Sequence, residues 1–199
     1  MKVGGDCRFG HATRGHARAN WRSLGGRNRP NLHTGHGLGA LPNKGRSNVR
    51  TFDTLADLAS CVGETVATSE WLTVTQQHID LFAMATGDHQ WIHTDVARAA
   101  SGPFGTTIAH GFLTLSLLPQ MMESAVHITH SSMGVNLGLN KVRFTSPVPV
   151  DSCLRAHLRL LSLDWIEQGG CQMAWGVTVE RQGQDKPVCV AEILARRYP

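Results

Sequence analysis

Residues 87–126 read GDHQWIHTDVARAASGPFGTTIAHGFLTLSLLPQMMESAV, and their second half decides the fold. From Gly111 to Ala125 the chain is apolar almost throughout, with Phe112, Leu113, Leu115, Leu117, Leu118, Met121 and Met122 spread around a helix. A helix without a polar face has to be buried. Pro119 lies inside it and predicts a kink or a break into two pieces, because proline lacks the N–H and crowds the preceding turn. After Ser132 the texture becomes β: Val135 to Phe144, Cys153 to Asp164, Cys171 to Arg181 and Val188 to Arg197 are rich in β-branched or alternating apolar residues. Pro147, Pro149 and Asp151 punctuate the first gap, Gly169-Gly170 the second and Gly183 the third. Such short connections predict that consecutive strands pair antiparallel. One buried helix against a strongly curved antiparallel sheet, an α+β fold, buries both apolar surfaces.

Upstream, Leu55, Leu58 and Ala59 predict a short helix over Asp53 to Cys61 that Gly63 ends. Glu64 to Val74 reads as extended. Thr75 predicts an N-cap for a helix whose apolar face is Ile79, Phe82, Ala83 and Met84, with Gly87 as its stop. Asp95 to Ala100 reads as helical, and the Gly/Pro-rich Ser101 to Thr106 as a loop.

The chain has 199 residues and a formal charge of +4, but the charge is unevenly placed. Residues 1–50 hold 10 of the 19 Lys and Arg and a single acid, Asp6, whereas residues 51–199 carry a net −5. The first segment also holds 10 of the 21 glycines and only two aromatics, Phe9 and Trp21, too little apolar surface to offset the entropy of folding. Residues 1–50 are therefore expected to be a disordered basic extension, either a native tail or an upstream extension of the gene model, since no Met lies between Met1 and Met84. Residues 51–199 suffice for one domain.

Its scattered cations and two aromatics make nucleic acid an unlikely partner. The chain lacks a membrane-spanning run of 18 apolar residues and the apolar stretch of a secretory signal. The cysteines Cys7, Cys61, Cys153, Cys171 and Cys189 are odd in number and form no C-x-x-C pair, which fits buried thiols in a reducing cytoplasm.

Asp88 and His93, five residues apart across a helix end, are the candidates for chemistry. A carboxylate and an imidazole brought together can hold one water and move its protons. His110-Gly111 opens the apolar helix, whose first backbone N–H groups are natural donors to a developing oxyanion. This set suits reactions through an enolate, such as adding water to a thioester-conjugated double bond. The plain alternative is that Asp88 caps a helix end and His93 is a satisfied, half-buried histidine.

The strings GDHQWIHTD, SGPFG, IAHGFLTLSLLP and GLNKVRFTSPVPVDS (138–152) resemble the MaoC-like dehydratases, the (R)-specific enoyl-CoA hydratase family that includes nodulation protein N relatives. The resemblance runs over about residues 53–197. It implies a hot-dog fold, a long central helix wrapped by an antiparallel sheet, in homodimers with sites near the subunit interface. It makes Asp88 and His93 the pair that activates water and delivers a proton, with syn addition to a trans-2-enoyl thioester giving an (R)-3-hydroxyacyl product. The backbone N–H of Gly111 would bind the thioester oxygen, and Gln90, His110, Lys141 and Arg143 are candidates for binding the acyl-CoA substrate. No metal and no redox cofactor is implied, CoA being part of the substrate. Gln90 and Trp91 stand where many relatives have Asn-Pro, and Pro119 stands where some hydratases have Ser.

Other readings of these residues are plainer. His89, His93 and Asp95 would need a continuous helix to hold a metal, which Gly87 and the Thr94 cap oppose. His127 and His130 read as solvated side chains at a helix end, and Lys141 and Arg143 as a solvated strand face if they do not meet CoA phosphates. Trp165, Trp175 and Met173 read as core or sheet-face residues, whereas Met121 and Met122 fill the core or line an acyl tunnel. Within the fold, the alternatives are a thioesterase or a dehydratase acting on acyl carrier protein. Outside it, the alternative is a nonenzymatic binder of acyl thioesters or polyanions.

Overall fold

The computed structural model describes residues 49–199; residues 1–48, with the expectations for the basic segment and Cys7, lie outside the described residues. Arg50, counted with that segment by charge, is the first residue of strand β1 (Arg50–Phe52). Its guanidinium donates to the Val66 carbonyl at 3.1 Å and to Cys61 Sγ at 3.2 Å. Helix α1 (Leu55–Ala59) is shorter than its apolar spacing suggests because Thr54 and Asp57 close a capping box at its start. The extended segment forms two short strands, β2 (Thr65–Thr68) and β3 (Leu72–Val74), both antiparallel to the same later strand.

Helix α2 (Gln76–Thr86) begins at Thr75, again in a capping box, and ends at Gly87, which is left-handed at φ 77°. Ile79 and Ala83 are buried, but Met84 is 70% exposed, because it is five residues from Ile79 and so turned well away from that face. Helices α3 (Trp91–Thr94) and α4 (Val96–Ala100) follow, the latter capped by the Asp95 carboxylate rather than by Thr94.

The apolar segment is two helices, α5 (Gly111–Ser116) and α6 (Leu118–Glu123). Pro119 lies in the first turn of α6, where its missing N–H would have no helical partner. Contrary to burial all round, Phe112 is 65% exposed, while Leu113, Leu118 and Met121 point into the core. Strand β4 (Val126–Ile128) returns to pair in parallel with β1.

The four expected strands form as β5 (Met133–Phe144), β6 (Ser152–Trp165), β7 (Cys171–Arg181) and β8 (Cys189–Tyr198). The sheet order is β2-β6-β7-β8-β5, with β3 also on β6. Pairing of consecutive strands therefore fails at one place: β5 and β6 lie far apart, and β5 pairs with β8. The connection between them is no hairpin. Thr145 to Asp151, stiffened by Pro147 and Pro149, crosses from one side of the sheet to the other. On the way Ala109 N–H bonds to the Val148 carbonyl at 2.7 Å, Val150 N–H to Thr107 at 2.9 Å and Asp151 N–H to Val74 at 2.8 Å. Leu154, Leu158, Leu160, Val177 and Val179 from the sheet share one buried cluster with the α5–α6 residues, so the sheet is wrapped around the helical segment as a hot-dog fold requires.

Trp175 and Met173 are core residues, and Trp165 is 56% exposed on a strand end. Cys61, Cys171 and Cys189 are buried free thiols. Burial pushes the Cys189 thiol up to about 11, so it behaves as a small hydrophobe. Among the described residues, no helix is long and apolar enough to cross a membrane.

Candidate active site

Gly87 ends α2 by a left-handed turn that a side chain would strain, and this turn launches the chain directly into Asp88. The Asp88 carboxylate accepts the Gln90 N–H at 3.4 Å and is 55% exposed. Three residues past Gln90, His93 faces inward and is buried. Its Nδ1–H donates to the Ile108 carbonyl at 2.7 Å, an assignment fixed by the carbonyl, which can only accept. The Ile108 N–H bonds in turn to Ile92 at 3.0 Å, so α3 and the strand-like segment before α5 are held from both directions. Nε2 is then the His93 nitrogen with a free lone pair. Burial holds His93 below the usual imidazole range, helped by the neighbouring His110, while the bond to Ile108 and the nearby Asp88 oppose that shift.

His110 immediately precedes α5, and its ring stacks on His93 with centroids 3.7 Å apart. Gly111 follows at the start of α5, where among the described residues no side chain caps the helix. A cavity of about 340 Å³ opens here, lined by His93, Gly111, Thr114, Phe144 and Val148 among others. A Cβ at Gly111 would lie 2.6 Å from the Phe144 ring, so glycine is what lets that ring roof the helix start. Phe144 meets Phe112 edge to face at 5.7 Å.

The other sequence candidates go elsewhere. Gln90 is exposed and does not line the cavity. Lys141 and Arg143 are exposed on β5, opposite Glu192 and Val190, and alternate with Val142 and Phe144, which point to the inner side. Within one chain they are therefore on the wrong face of the sheet to reach the cavity. Of the two methionines, Met121 is core, and Met122 lines a smaller apolar cavity of about 150 Å³ with Leu115, Leu118, Pro119, Leu139 and Ile193.

The potential metal ligands differ from the trio considered in the sequence. Asp88, His93 and His110 each offer one donor atom within 4.8 Å of the others. His93 Nδ1 and His110 Nε2 both donate to backbone carbonyls, which leaves His93 Nε2, the buried His110 Nδ1 and the Asp88 carboxylate as the unengaged donor atoms.

Sequence reasoning missed Gln76. Its amide donates to the His93 carbonyl at 2.8 Å and accepts from Thr107 Oγ1 at 2.6 Å, locking α2, α3 and the 107–110 segment together. A glutamine in the first turn of an exposed helix carries no signal of this role.

Known proteins resemble this chain in sequence and fold. Residues 57–180, more than half of the chain, match the family described as MaoC like domain. Among curated proteins, 3-hydroxyacyl-thioester dehydratase Z of Mycobacterium tuberculosis is 51% identical over 148 residues, 74% of this chain and 98% of that protein. Nodulation protein N of Rhizobium leguminosarum bv. viciae is 46% identical, covering 69% of this chain and 86% of the relative. Among solved structures, the unliganded R-hydratase PhaJ1 of Pseudomonas aeruginosa superposes with a TM-score of 0.55 at 26% identity, covering 72% of this chain and 84% of that one. With the family model matching more than half of the chain and curated relatives 51% and 46% identical to it, the chain belongs to the MaoC-like dehydratases.

Proposed function

We propose that the protein is an (R)-specific enoyl-CoA hydratase and dehydratase, acting reversibly on trans-2-enoyl and (R)-3-hydroxyacyl thioesters. One observation carries this reading. His93 is held by Nδ1 so that its free Nε2 serves the cavity that Gly111 also lines, with the Asp88 carboxylate within reach. In the forward direction the pair takes one proton from water as the hydroxyl oxygen bonds C3. Electrons from the double bond move onto the thioester oxygen, where the Gly111 N–H at the start of α5 stabilises the enolate. The pair then returns a proton to C2 on the same face, so water is added whole and neither metal nor redox cofactor is consumed. The apolar cavity around Leu115, Leu118 and Met122, one to two turns along from Gly111, suits an acyl chain. The likeness to a 3-hydroxyacyl-thioester dehydratase and an R-hydratase supports the same chemistry.

We further propose that the protein is a cytoplasmic homodimer. Free buried thiols fit a reducing compartment, and the long exposed β5 edge fits a second copy.

Incubation with crotonyl-CoA tests the activity. The enoyl absorbance should fall while free thiol stays constant, and Asp88→Asn or His93→Ala should lower kcat by roughly 10²- to 10⁴-fold, the usual worth of a general acid–base group. Release of free thiol would instead mark a thioesterase, and binding without turnover would mark a nonenzymatic protein.

A further inference from the structure

His110 was a candidate for binding substrate, but its surroundings assign it a different task. It is only 3% exposed and does not line the cavity. Its Nε2–H donates to the backbone carbonyl of Asp88 at 2.9 Å, whereas the Asp88 carboxylate is 3.9 Å from the same nitrogen, beyond a hydrogen bond. The ring lies on His93 at 26° between planes, and Phe82 of α2 packs against it at 5.1 Å. Its own backbone sits one residue before the Gly111 N–H. One side chain therefore touches the peptide that carries Asp88, the ring of His93 and the helix start that presents the oxyanion donor.

The imidazole is costly for mere packing. Its Nδ1 is buried with no hydrogen-bond partner among the described residues. Leaving a buried polar atom unpaired is destabilising, and a phenylalanine would fill the same stack without that cost. What phenylalanine lacks is the donor to Asp88.

We propose that His110 is the positioning residue of the site, anchoring the Asp88 peptide through Nε2–H and bracing His93 through its ring so that the pair converges on one water. This inference rests on the hydration reading, and the experiment separates the two.

His110→Phe keeps the ring and loses the donor, while His110→Gln places an amide N–H near the position of Nε2 and loses the ring. Losing one hydrogen bond of this kind should lower kcat about tenfold in His110→Phe with KM nearly unchanged, and His110→Gln should recover part of it, the remainder being the lost ring contact with His93. A packing role predicts the reverse order, and a direct substrate contact predicts a raised KM in both variants. Either outcome overturns the proposal.

NMR titration of His93 needs no turnover. Asp88 and His110 are the titratable groups beside it, and removing the His110 imidazole should raise the His93 midpoint in both variants. If the wild type hydrates no enoyl thioester, the functional reading falls, and an unchanged His93 midpoint separately overturns positioning. Should neither variant fold, ¹⁵N NMR of the wild-type His110 ring decides: a proton on Nε2 is expected, and a proton on Nδ1 alone contradicts the anchor.

Discussion

At His93, burial and one hydrogen bond leave a ring nitrogen with a free lone pair, as the proposed base requires. The Ile108 carbonyl holds the Nδ1 proton, and burial disfavours a second proton on Nε2, so the lone pair persists below the ordinary imidazole range. The same shift links to stability. The unfolded chain protonates His93 as pH falls through about 6.5, while the folded chain does not until a lower pH, so the unfolded state binds more protons in that window. The contribution is fully present above the unfolded pKa and is lost on acidification below it. Urea midpoints measured at neutral and mildly acidic pH should therefore fall more steeply for the wild type than for His93→Gln. Parallel slopes would show that His93 is not the source. Asp88, His93 and Gly111 stand out in the sequence through the resemblance to MaoC-like dehydratases, because residue type and spacing alone leave a capping carboxylate and a satisfied histidine as an equal reading. Nothing in the sequence hints that Gln76 and Thr107 clamp the site, since an ordinary polar side chain becomes a clamp only through tertiary contact.

At the scale of elements, the clearest feature is β5. It is the last strand in the sheet order, and Met133, Val135, Leu137, Leu139 and Phe144 along it are all exposed. A long apolar edge with open backbone groups invites a partner strand. Pairing of β5 with its counterpart in a second copy would cover it and close over the Phe112–Phe144 corner of the cavity. Sedimentation equilibrium should give twice the chain mass for the wild type and the single-chain mass for a Val135→Lys/Leu137→Lys variant. A monomeric wild type would refute the dimer. The strands themselves were readable to within a residue or two from alternation and Gly/Pro punctuation, and Thr75 and Gly87 announced both ends of α2. Pairing was less readable. The link between β5 and β6 is short enough for a hairpin, and only its bonds to Thr107, Ala109 and Val74 reveal that it bridges the sheet.

For the whole molecule, the apolar segment 111–125 foretold a helix enclosed by a sheet, and that enclosure forms. It did not foretell that the enclosure leaves one side of α5 open. Phe112 is apolar yet exposed because burial in one chain ends where the edge strand ends. The architecture places a helix start and a buried imidazole on one small cavity, with a carboxylate beside the imidazole. In the hydration chemistry we propose, a single pair on one face of the substrate delivers both hydroxyl and proton from that face. The decisive measurement is the configuration of the product formed from crotonyl-CoA in D₂O. The expected product is (R)-3-hydroxybutyryl-CoA with one deuterium at C2 added syn to the hydroxyl. An (S) product, or deuterium added anti, would contradict it.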